Sequence, residues 1–172
     1  MDIKENFVAE YADIATRMSA TGGVLRALVL GTVIAGALDI TAAILTWMTR
    51  GAPAIRVLQG VAGGLLGRDT FAGGGATAAL GLLLHFMIMS VIVALYVAAS
   101  HGLSLLTRHA VACGIAYGIA VYVVMSFVVV PLSAAGGARP PSPYMVLEGV
   151  IVHILCVGVP IALITRRFTA AS

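Results

Sequence analysis

Apolar and polar positions segregate along this chain in blocks the length of whole helices. Four apolar runs, at residues 24–48, 76–99, 110–132 and 144–164, are separated by short segments that hold most of the charge. A hydrocarbon layer roughly 30 Å thick takes about 20 residues of helix to cross, and each run is long enough. The pattern predicts an all-α fold, an integral-membrane four-helix bundle. Residues 23–167 then form a single membrane domain and 168–172 a tail.

Spacing outside those runs predicts two further helices. Ile3, Phe7, Tyr11, Ile14 and Met18 recur three or four residues apart, so residues 1–22 read as an amphipathic N-terminal helix. Asp2, Lys4, Glu5, Glu10 and Asp13 lie where a cleaved secretory signal needs a basic start followed by an apolar stretch. This acidic face suits docking on protein, through Phe7, Tyr11, Ile14 and Met18, better than adhesion to anionic lipid, which favours Lys and Arg. At residues 53–67, Pro53 suits a helix start and Leu58, Val61 and Leu65 share a face. Such a helix reaches about 22 Å, too short to cross, so an interfacial or re-entrant helix is expected. Gly73, Gly74 and Gly75 then redirect the chain. Prolines make residues 133–143 irregular, and Pro160 cannot bond back to the Cys156 carbonyl, so a kink is expected there.

Composition sharpens the class. The chain of 172 residues is 60% hydrophobic and 10% charged, against about 25% charged in a soluble domain. Its mean hydropathy is +1.07. The formal charge of +3 lies at the ends of the runs rather than in a patch, which points to a lipid bilayer and to no nucleic acid. Lys4, Arg17, Arg26, Arg108, Arg166 and Arg167 fall on the side of the termini; Arg50, Arg56, Arg68 and Arg139 fall on the other. The positive-inside rule places both termini in the cytoplasm. Cys113 and Cys156 read as small packing residues inside apolar runs. Trp47, Tyr96 and Tyr144 are expected at the membrane interface, and His101 and His109 at solvated span ends.

The candidate chemistry is intramembrane. Asp39, His85, Glu148 and His153 interrupt apolar runs, where an ionisable group is costly and therefore partnered or functional. Counting nine residues from the outer ends of the runs puts Asp39, His85, Tyr122 and His153 at one depth, about 14 Å in. Glu148 falls about one and a half turns nearer the outer surface. Small or weakly polar residues flank these groups: Thr32, Gly36, Ala43 and Thr46; Thr77, Gly81 and Met89; Gly149, Cys156 and Pro160. Such stripes face protein rather than lipid. Ala110, Gly114 and Gly118 form a further helix-packing ridge, for internal contacts or a homo-oligomer.

This layer admits four readings. Asp39 bonded to a histidine or Tyr122 would only fix helix register. Asp39 and Glu148 as titrating acids, with the histidines as relay, would form a proton- or ion-coupled path for a small solute. His85, His153, Asp39 and Cys156 would suit a transition metal, or the two histidines a haem iron, although no compact ligand motif is present. An intramembrane enzyme finds no support, because Ser90 and Ser126 lack a G-x-S-x-G setting and no phosphate-binding loop occurs. A non-catalytic accessory subunit of a larger membrane complex, docking through residues 1–20 and the Ala110–Gly118 ridge, is the rival class.

The segments VLQGVAGGLLG (57–67), LGLLLHF (80–86), YGIAVYVVMSFVVVPLS (117–133) and VHILCVGVPIALI (152–164) together resemble an uncharacterised family of small four-span bacterial inner-membrane proteins. The likeness runs from about Leu25 to Arg167. It implies four spans and a bacterial cytoplasmic membrane, and no activity.

Overall fold

The computed structural model describes residues 3–136 and 142–169; of residues 3–20 it describes the backbone and the side chains of Glu10 and Met18. The described chain is all-helical, with no strand. Helix α1 runs from Ile3 to Met48. It is followed by α2 (Ala54–Leu66), a 3-10 turn at Gly67–Ala72, and α3 (Gly74–Gly102). A single turn at Leu105–Arg108 leads into α4 (Ala110–Leu132), and α5 spans Pro143–Thr169. Four segments, Thr21–Met48, Gly74–Gly102, Ala110–Leu132 and Pro143–Thr169, are long and apolar enough to cross a membrane. Leucine, isoleucine and valine side chains remain exposed along all four, the surface a bilayer requires of such helices.

The expected N-terminal helix and first span are one element. Helix α1 passes through Gly22 and Gly23 without a break, and the part before Thr21 continues it by about 27 Å. The side chains of Phe7, Tyr11 and Ile14 lie outside those described; Met18 is exposed.

Close helix approaches occur where glycine removes a side chain. A Cβ on Gly118 would sit 2.7 Å from the His153 carbonyl, and one on Gly114 would sit 2.9 Å from the Gly158 carbonyl. The Ala110–Gly114–Gly118 ridge is therefore filled by α5 of the same chain. Of the uses expected of it, internal contacts are the one observed; all three residues are buried, which closes the ridge to the accessory-subunit contact. Gly31 and Gly36 of α1 admit Val93 and Phe86 of α3 in the same way.

Two π turns interrupt the spans, at Met125–Val129 in α4 and His153–Gly158 in α5. Each ends two residues before a proline, Pro131 or Pro160. A proline has no N–H for the carbonyl four residues back, and its ring crowds that carbonyl. Widening the preceding turn moves the bonds one residue further: Val130 N–H reaches the Met125 carbonyl, and Val159 N–H reaches the Ile154 carbonyl. The strain expected at Pro160 is taken up in this wider turn.

Helix α2 is the short extra helix. At 13 residues it reaches about 20 Å and cannot cross. It lies against α3 so closely that a Cβ on Gly81 would collide with the Leu58 carbonyl. A buried polar knot fixes it. Gln59 Nε2 donates to the Gly74 carbonyl (3.0 Å) and to Thr77 Oγ1 (3.2 Å), while Thr70 Oγ1 donates to the Gln59 carbonyl (3.0 Å). Thr77 Oγ1 in turn donates to the Thr70 carbonyl at 2.7 Å. At the far end, Ala134 N–H donates to the Gly64 carbonyl, tying the end of α4 to α2.

Candidate functional site

Asp39 and His85 share a cavity of about 190 Å³ between α1, α2, α3 and α4. His85 is buried, and its Nε2–H donates to the Gly36 carbonyl of α1 at 2.9 Å. A carbonyl only accepts, so Nε2 carries a proton. Gly36 is one turn from Asp39, which places carboxylate and imidazole at one level. The Asp39 carboxylate is half-buried and makes no hydrogen bond or ion pair with any described residue. The expected Asp39 bond to a histidine or to Tyr122 does not form, because His85 has turned its donor to the backbone instead.

The other two members of the layer pair with each other. The Tyr122 and His153 rings meet edge to face with centroids 5.4 Å apart. His153 Nδ1–H donates to the Gly149 carbonyl one turn back at 2.9 Å, and Gly149 leaves room for the Tyr122 ring. Met125, one turn along α4 from Tyr122, forms part of the cavity wall. The layer is thus two half-sites, Asp39 with His85 and Tyr122 with His153.

Glu148 belongs elsewhere. It forms an ion pair with Arg50, just beyond the end of α1, with both side chains 27% exposed. Arg50 also lies over the Trp47 ring at 5.5 Å. The carboxylate that counting places nearer the outer surface is held there by a guanidinium, outside the cavity.

Among the described residues no three of His, Cys, Asp and Glu come together as a metal-binding group. His85 and His153 each bond a backbone carbonyl through one ring nitrogen, on different helices. Both cysteines are free thiols. Tyr96 is also displaced from its expected interface position: it is 2% exposed, and its hydroxyl donates to the Leu106 carbonyl. Trp47 and Tyr144 are exposed near span ends, and His101 and His109 are exposed.

A larger cleft of about 630 Å³ adjoins the Asp39 cavity, sharing Ala43, Val57, Val61, Ile88 and Met125 with it. Its rim carries Trp47, Arg56, Phe71 and Ser133, and Gly60 and Gly64 of α2 line its wall. Sequence reasoning missed this cleft and the Gln59 knot. The available signal was Gln59 itself, the one amide on the short helix.

No protein family, curated protein or solved structure matches this chain.

Proposed function

We propose that the protein is a small multi-pass membrane protein that couples proton or cation movement to permeation of a small solute, with Asp39 as the titrating group. One observation supports this reading above the others: an intramembrane carboxylate faces a small cavity with no protein partner among the described residues. Placing a charged side chain at mid-membrane depth costs about 2.5–3.5 kcal/mol on insertion scales. A role confined to fixing register would recover that cost through a bond, and Asp39 makes none. The titratable side chain that shares its cavity is His85 from α3. The cavity has room for several water molecules, which would carry protons between carboxylate and imidazole.

The experiment is pH-dependent flux in proteoliposomes. Wild-type protein should show flux that changes with pH, and Asp39→Asn, which keeps size and polarity but cannot release a proton, should abolish the dependence. Equal flux in both proteins removes Asp39 from the mechanism.

A second reading, the accessory subunit, is favoured by the extension of α1 beyond Thr21, which suits docking on a larger complex. Deleting residues 1–20 should then release co-purifying subunits. In either case the expected setting is a bacterial inner membrane with both termini cytoplasmic, in line with the resemblance and the balance of basic residues.

A further inference from the structure

We propose that the larger cleft binds one acyl chain of an anionic phospholipid, with the lipid phosphate on Arg56. The inference stands apart from the Asp39 reading, because it uses the other end of the connected cavities. The cleft has the chemistry of a chain site: its wall is built from Ala43, Val57, Val61, Ile88, Met125 and Val129, with polar groups only at the rim. Its volume of about 630 Å³ lies within the roughly 300–1,000 Å³ of small-molecule sites. A spanning helix of a second protein, about 10 Å across and 30 Å long, would need over about 2,000 Å³.

Charge at the rim selects the head. Arg56 has five N–H donors, of which one reaches the Phe71 carbonyl at 3.3 Å, and its guanidinium lies over the Phe71 ring at 5.2 Å. Among the described residues it has no carboxylate partner, unlike Arg50. Among the described residues the Trp47 indole N–H on the same rim is also without an acceptor. Spare donors on two groups, one cationic, above an apolar cleft match a phosphodiester above an acyl chain. The glycines keep the cleft open: a Cβ on Gly60 meets no atom within 4 Å.

Trp47 is the only tryptophan, so its fluorescence reports on the cleft directly. The full chain is reconstituted in phosphatidylcholine vesicles containing increasing fractions of phosphatidylglycerol with brominated acyl chains, a contact quencher of indole. Quenching should exceed that of brominated phosphatidylcholine, with a preference of about fivefold for the anionic lipid. Arg56→Gln should abolish the preference while quenching persists. Gly60→Leu, which projects a side chain into the cleft while improving helix propensity, should reduce quenching by both lipids to the level of bulk collision. Equal quenching by the two lipids in wild type, or a preference unchanged in Arg56→Gln, overturns the headgroup assignment. Undiminished quenching in Gly60→Leu overturns the cleft as the chain site. Asp39→Asn should leave all of these curves unchanged, so failure here and failure of the permeation reading are distinguishable.

Discussion

Asp39 and Glu148 are the same kind of group on similar apolar helices, yet their surroundings give them different work. Glu148 meets a guanidinium at the edge of the bundle; Asp39 meets a cavity. An ion pair that is partly exposed contributes at most about 1 kcal/mol, so Glu148→Gln should lower the melting temperature slightly and leave flux and its pH dependence intact. Flux lost equally in Glu148→Gln and Asp39→Asn would return Glu148 to the path. The pairing of levels was legible in the sequence because the helical rise is constant, so residue counting put Asp39 beside His85 and Tyr122 beside His153. Partner choice was not. It depends on which side of each helix faces inward and on whether a nearby backbone carbonyl, such as that of Gly36, takes the donor first.

Glycines at element contacts divide into two kinds that look alike in sequence. Gly158 faces the Gly114 carbonyl and Gly118 backbone, so Gly158→Ala should force α4 and α5 apart. Overpacking of this kind costs about 1–3 kcal/mol and should appear as a clear fall in thermal stability. Gly60→Ala points into open space and should be neutral or mildly stabilising. Helix α2 depends instead on the Gln59 knot. Gln59→Leu removes two hydrogen bonds from a buried site, a loss of about 1–3 kcal/mol. Hydrogen exchange across Ala54–Leu66 should accelerate while the four long helices keep their protection. Unchanged exchange there would mean that packing against Gly81 alone holds α2.

For the molecule as a whole, four crossings would put both termini on one side of the membrane. With Cys113 and Cys156 replaced, single cysteines at Ser172 and at Thr49 should react with an impermeant reagent from opposite faces of sealed vesicles. Reaction of both from one face would refute the four-span topology. That topology, the all-helical class and the short non-spanning helix all follow from the sequence alone, because the length of an apolar run against a fixed hydrocarbon thickness needs no knowledge of neighbours. Only the tertiary structure decided that the glycine ridge is spent within the chain, that Glu148 leaves the layer for Arg50, and that Asp39 is left facing a cavity beside a second, apolar cleft. Each of these depends on the rotation and packing of helices about one another, and on contacts between residues far apart in the chain, which local periodicity does not encode.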